Sequence, residues 1–160
     1  MLRQAEFDFD NSVWNLPPEK VKMRGAHRAP FSTQVRALLE ELWEFTGTGR
    51  YCFPSFRTDH RPMSENTVNA ALRVLGFSLE EMCAHGFRAI AATLLNESGR
   101  FHPDAIERQL ANVERDGVRR AYTRGKYWSE RITMMQWQST PLSPVNRRRF
   151  AIHFLTETWT

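Results

Sequence analysis

Cysteine is nearly absent from this chain: Cys52 and Cys83 are the only two in 160 residues. Their spacing fits neither a disulfide framework nor a zinc site. His27, His60, His85, His102 and His153 are scattered without metal-ligand spacing, so no metal and no cofactor is expected. No apolar run approaches the roughly 20 residues that a membrane span needs. The N-terminus also lacks a basic segment followed by an apolar one, so no secretory signal is visible. Internal repeats and low-complexity tracts are missing too. A reducing, cytoplasmic setting is the simplest expectation, with no membrane partner.

What is present is enough for one domain with a core. The chain is 41% apolar, with 5 Trp and 11 Phe, so it is globular rather than disordered. Its formal net charge is +4 and its pI near 9.5, a modest excess compatible with nucleic acid. Position says more than total. Arg115, Arg119, Arg120, Arg124 and Lys126 crowd one segment, and Arg147, Arg148 and Arg149 make a second cluster. Each reads either as a solvated face or as a surface that meets phosphate.

Periodicity predicts an α+β fold, mainly helical, with a small antiparallel sheet at the N-terminus. Phe7 and Phe9 alternate with acids, Asp10-Asn11 forms a turn, and Val13, Trp14 and Leu16 follow. "EKVKMRGAHRAP" reads as a second tight turn with Gly25 at its tip and Lys22 entering it. Ser32 or Thr33 caps a helix whose Val35, Leu38, Leu39, Leu42 and Trp43 share a face. "TGTGRYCFPS" is a loop with a short extended piece. Ser64 opens another helix that buries Val68, Ala71, Leu72 and Leu75 and stops at Gly76. "CAHGFRAIAATLLNE" places Phe87, Ile90, Ala91, Leu94 and Leu95 on one stripe and ends near Gly99. Pro103 starts a short helix with Ile106 and Leu110 inward. A last helical region spans about 118–137, with a break near Gly125 or Ser129. Residues 1–138 are expected to form the domain, and 139–160 a proline-containing, weakly ordered tail.

His85 and Arg88 flank the apolar stripe, about 60° apart at 100° per residue. Side by side, an imidazole and a guanidinium can grip a phosphate; they can equally cap and solvate a helix. Lys22 is by itself an ordinary hairpin lysine. With Tyr122 in a basic segment and Asn112 ten residues before it, the set has a specific chemistry. A tyrosine hydroxyl attacks a phosphodiester, cations stabilise the charge growing on the phosphoryl oxygens, and an acid protonates the leaving oxygen. Free tyrosine has a pKa near ~10, so attack at neutral pH needs neighbouring cations or a base.

The segments "NLPPEKVKMRGAHRAPFS", "YCFPSFR", "PMSENTVNAALRVLGF", "AHGFRAIAATLLNESG", "HPDAIERQLANVERDGVRRAYTRGKYWSER" and "MMQW" stand in an order that resembles the tyrosine recombinases, specifically integrases of phage and satellite-phage type. The resemblance covers about residues 2–137. It implies the catalytic-domain fold of that family and site-specific DNA recombination through a 3′-phosphotyrosyl intermediate. It implies double-stranded DNA attachment sites and further integrase protomers as partners, and a bacterial, nucleoid-associated setting. By the same resemblance Arg88 clamps the scissile phosphate, His85 hydrogen-bonds it, Lys22 is the general acid for the 5′ oxygen, and Tyr122 is the nucleophile. Tyr127 competes as nucleophile; the interval from Asn112 to Tyr122 matches the family's usual spacing. His102 reads as structural or merely exposed.

Three departures accompany the resemblance. The family has another phosphate-clamping arginine in an Arg-x-Gly-Glu segment ahead of the first strand. The sequence opens Met1-Leu2-Arg3, about where that segment should end, and Arg3 falls too late to replace it. Asn112 stands where the family has His or Trp; it can donate a hydrogen bond but carries no charge. After Trp137 the tail diverges. The alternative expectation is therefore a truncated, inactive integrase remnant that only binds DNA.

Overall fold

The computed structural model describes residues 2–21, 26–111 and 127–140. The fold is α+β, as the periodicity predicts. Strands β1 (Phe7–Asp8), β2 (Val13–Leu16) and β3 (His27–Pro30) form an antiparallel sheet in the order β1-β2-β3. Phe7 pairs with Trp14, and Leu16 with His27. Helices α1 (Thr33–Thr46), α2 (Thr67–Val74), α3 (Gly86–Glu97), α4 (Pro103–Gln109) and α5 (Trp128–Ser139) follow. A second hairpin, β4 (Pro54–Ser55) with β5 (Thr58–Pro62), separates α1 from α2. The "TGTGRYCFPS" loop with its extended piece is thus half of that hairpin. The strand over Thr58–Pro62 escaped the sequence reading because "TDHRP" has no apolar alternation.

Two apolar clusters hold the elements. The first joins the sheet to α1 and is aromatic: Phe7 stacks on Trp14 at 6.0 Å, and Phe9 meets Trp43 edge-on at 5.1 Å. Edge-to-face and offset pairs suit the ring quadrupoles, so the cluster gains contact energy beyond its buried area. The second lies among α3, α4 and α5, where Leu95, Ala105, Ile106 and Met134 are essentially sealed from solvent. Phe101, Leu110, Tyr127 and Trp137 close over it. Ile106 and Leu110 point inward as expected.

Helix ends follow the local chemistry. Ser32, rather than Thr33, caps α1, its hydroxyl accepting from the Val35 N–H at 3.2 Å. Ser64 lies outside α2, whose N-cap is Asn66; the Ser64 hydroxyl accepts from the Asn66 N–H. Gly76 sits at φ +94° and ends α2, with its N–H bonded to the Arg73 carbonyl and the Phe77 N–H to the Leu72 carbonyl. That paired closure requires a left-handed residue, which glycine adopts without strain. Leu38, Ala71 and Leu75 do not join the core. Leu38 is 65% exposed and Leu75 72% exposed. Both helices meet the body of the fold from one side, so only Leu39 of α1 and Leu72 of α2 are fully covered. Phe87, at the first turn of α3, is likewise half exposed, and the buried stripe narrows to Leu95. The last helix starts at Trp128, after Tyr127 in the left-handed region at φ 66°. The predicted region over 118–126, the tail from 141 on, and Gly25 lie outside the described residues.

Polar contacts fasten the sheet to both clusters. Glu6 is buried where the chain enters β1, and it accepts bonds from Lys20 Nζ and from Trp14 Nε1, the latter at 3.3 Å. Burial alone would raise its carboxyl; the Lys20 and Trp14 hydrogen bonds outweigh that and hold it below the ordinary carboxylate value. Arg131 of α5 is 5% exposed. Its Nε donates to Gln109 Oε1 at 2.9 Å, and its terminal nitrogen donates to the Arg28 carbonyl at 2.6 Å. One side chain thereby ties α5 to the end of α4 and to β3. Arg131→Met leaves two part-buried acceptors without this donor, and a stranded buried polar group costs about 1–3 kcal/mol. We expect Arg131→Met to lose about 2 kcal/mol in urea denaturation, and Arg131→Lys to recover only part of it, because an ammonium lacks the planar fork. An unchanged unfolding midpoint in Arg131→Met would show that the tie is dispensable.

Candidate active site

His85 stands at the N-cap of α3, with its carbonyl accepting from the N–H groups of Arg88 (3.1 Å) and Ala89 (3.3 Å). Its φ and ψ, −72° and −27°, are already helical, so the side chain is turned away from capping and makes no cap bond. The imidazole is exposed. Of the two roles open to it, capping is therefore absent. Gly86 follows because the turn packs on buried Met82: a Cβ there would sit 3.2 Å from Met82 Sδ. The twelve-residue helix directs its positive N-terminal end to the same place, which favours an anion.

Arg88 lies one turn along, exposed, and its guanidinium donates to the Leu110 carbonyl at the C-cap of α4. The next residue, Ala111, is left-handed at φ 54°, and the described chain stops there before Asn112. Arg88 thus touches the chain at the entrance to the segment that carries Asn112 and Tyr122. Those two residues lie outside the described residues, as do Lys22, Arg115, Arg119, Arg120, Arg124 and Lys126.

A histidine that sequence reasoning passed over faces this arginine. His27 of β3 is half-buried, and burial first, then the charges of Arg131 and Arg88, push its pKa down from 6.5 to about 4. It is neutral at physiological pH. Arg131 is itself pushed down to about 10 by burial and by Arg108, and stays charged. Both hydrogen-bond acceptors of Arg131 among the described residues are neutral. The Arg28 and Arg131 guanidiniums also lie against the Trp128 ring, 5.1 and 5.3 Å from its centroid. The region around Arg88 is accordingly electropositive through fixed groups, an arrangement that attracts phosphate. In the sequence, the only trace of His27's role is its place two residues before buried Ala29 in β3.

Tyr127 and His102 occupy a different setting. Tyr127 packs on the helical cluster, stacks on His102 at 4.8 Å, and its hydroxyl donates to Asp104 Oδ2 at 3.4 Å. A carboxylate at the hydroxyl repels a phosphodiester. His102 caps α4, with Nδ1 accepting from the Asp104 N–H at 3.1 Å, and its own N–H donates to Glu130 Oε1 at 2.6 Å. It is structural and exposed together. Among the described residues, no group of three or more His, Cys, Asp or Glu side chains converges as a metal site would. No helix among them is long and apolar enough to cross a membrane.

Residues 1–127 match the phage integrase family. The chain belongs to that family. It is 42% identical over 166 residues to the putative protein IntB of Escherichia coli (strain K12), covering 95% of this chain and 42% of that protein. The integrase of Enterobacteria phage P4 is 40% identical over 162 residues, covering 92% of this chain and 37% of its own length. Prophage integrase IntA of Escherichia coli (strain K12) is 43% identical over 135 residues, or 84% and 32% of the two chains. The chain thus spans about two fifths or less of the length of these curated relatives. No solved structure matches it. Among the described residues, the α3 N-terminus carries the exposed His85 and Arg88.

The neutral state of His27 has a pH signature. Its folded pKa is depressed, so the unfolded chain takes up a proton near 6.5 while the folded chain waits until about 4. Stability from this group is full above 6.5 and falls as pH drops towards 4. The urea midpoint should decline from pH 7 to pH 4.5, and His27→Gln should flatten that decline. An equal slope in the variant would show that other groups carry it.

Proposed function

We propose that this chain carries the catalytic part of a site-specific recombinase that breaks and rejoins DNA through a tyrosine, with residues 1–138 as the working domain. Tyr122 Oη gives up its proton to solvent water as it attacks the scissile phosphorus, the P–O5′ bond breaks, and its electron pair leaves on O5′, which takes a proton from Lys22. A 3′-phosphotyrosyl bond remains, and attack by a second 5′ hydroxyl reverses the step without an external energy source. Arg88 binds two phosphoryl oxygens through its planar fork, and His85 donates to one of them. Asn112 donates a further, uncharged hydrogen bond. Arg115, Arg119, Arg120, Arg124 and Lys126 hold the flanking phosphates, which position the duplex without reading its sequence. Double-stranded DNA attachment sites and other protomers of the integrase are the partners, in the bacterial cytoplasm at the nucleoid.

The observation that carries this reading is the placing of Arg88. It shares an exposed helix terminus with His85 and holds the Leu110 carbonyl, at the mouth of the segment bearing Tyr122. The family match over residues 1–127 includes that segment. The contact of the Tyr127 hydroxyl with Asp104 supports Tyr122 over Tyr127 as nucleophile.

The test is a nicked suicide duplex, in which the released end diffuses away and traps the covalent intermediate. The wild-type chain should give a protein–DNA adduct that survives denaturant. Tyr122→Phe should abolish it, Tyr127→Phe should retain it, and Arg88→Ala should slow it by about 10²–10³-fold, the usual effect of removing one donor to a developing oxyanion. An adduct that persists in Tyr122→Phe and vanishes in Tyr127→Phe would reverse the assignment. DNA binding with a steep salt dependence and no adduct would instead mark a binding remnant.

A further inference from the structure

The loop between α2 and α3 delivers His85, and two side chains of α2 hold it. Asn69 and Arg73 stand four residues apart, on one face of the helix. Asn69 Oδ1 accepts from the N–H of Ala84, the residue before His85, at 2.8 Å. Arg73 donates through its terminal nitrogen to the Met82 carbonyl, and through Nε to the Asn69 carbonyl at 3.3 Å. The two backbone groups flanking Cys83 are therefore both pinned from α2. Met82 is buried, and its sulfur is the atom against which Gly86 packs. Upstream, the Glu81 carboxylate accepts from the Ser78 N–H at 2.6 Å, and the Ser78 hydroxyl accepts from the Glu81 N–H at 3.2 Å, which closes the turn before Met82.

One nitrogen of this network, Arg73 Nη1, is buried and has no hydrogen-bond partner among the described residues. Leaving a guanidinium nitrogen so placed is unfavourable. A lysine could serve one carbonyl without it; the fork is what reaches both the Met82 and the Asn69 carbonyls. His85 itself makes no cap bond, so its backbone, and not a contact of its side chain with the helix terminus, sets where the imidazole points.

We propose that Asn69 and Arg73 are positioning residues for His85: the Asn69 amide oxygen fixes the N–H of Ala84, the residue before it, and Arg73 locks the preceding turn. This rests on the reading that His85 meets the scissile phosphate. Neither residue touches DNA in this role. Asn69→Ala removes the acceptor, whereas Asn69→Asp keeps an oxygen for the Ala84 N–H.

Two readouts on the full chain test this. Amide hydrogen exchange at Ala84 and the imidazole resonances of His85 report positioning without any reaction. Adduct formation on the suicide duplex reports its consequence. Asn69→Ala should speed Ala84 exchange, shift the His85 resonances and slow adduct formation by about 10–100-fold, the scale of a misplaced reacting group. Asn69→Asp should restore all three to near wild type. Ala84 exchange equally fast in wild type and Asn69→Ala overturns the proposal, as does an unchanged adduct rate where exchange has risen. If no variant forms an adduct, the recombinase reading falls, and the His85 resonances alone decide: shifted in Asn69→Ala they uphold the positioning role, unshifted they overturn it. Should Asn69→Ala fail to fold, Arg73→Met is the comparison: it releases the Met82 carbonyl while keeping Asn69, and it should likewise shift the His85 resonances, whereas unshifted resonances overturn the proposal.

Discussion

The buried guanidinium of Arg131 is the constraint around which the described fold is arranged. A charge 5% exposed must find hydrogen-bond partners, and here it finds one on α4 and one on β3. The sheet, whose aromatic side is committed to α1, is thereby bound to the helical cluster as well. Further contacts repeat the connection at the other end of α5, where Ser32 donates to Ser139 at 2.7 Å and Gln136 donates to Gln34 at 2.8 Å. Both acceptors of Arg131 among the described residues are neutral, a backbone carbonyl and an amide oxygen.

That arrangement explains why His27 stays neutral. It occupies a strand that Arg131 holds against the helices, so it is desolvated and faces two fixed cations. A protonated imidazole there would compete with phosphate for neither donor nor space; it would simply oppose Arg88 and Arg131 by charge. His85 is placed the other way, exposed at a helix terminus with no cap bond. The two histidines near Arg88 thus differ in burial, and burial decides which of them can meet a ligand.

Much of the fold was legible in the residues. The alternation of Phe7 and Phe9, the Ser32 cap, the Gly76 stop and the Pro103 start each rest on a local rule, and each is found in the structure. The failures have a shared cause. Leu38, Ala71 and Leu75 satisfy helical periodicity yet remain exposed, because periodicity reports a face and not whether anything covers it. β5 was missed because its pairing to β4 is backbone bonding between residues with no apolar pattern. At the site, His85 and Arg88 stood out through their spacing and their resemblance to a family. Asn69, Arg73, His27 and Arg131 did not, since each acts on a residue distant in the chain.

The sequence by itself determined the local elements and the family. Short-range physics suffices for these: cap chemistry, glycine's access to positive φ, and the order of motifs along the chain. Tertiary structure alone decided which histidine is neutral and which is exposed, that the Tyr127 hydroxyl faces a carboxylate, and that α2 holds the N–H of Ala84, the residue before His85. These depend on desolvation and on hydrogen bonds between groups 15 to 103 positions apart, and no local pattern encodes such distances.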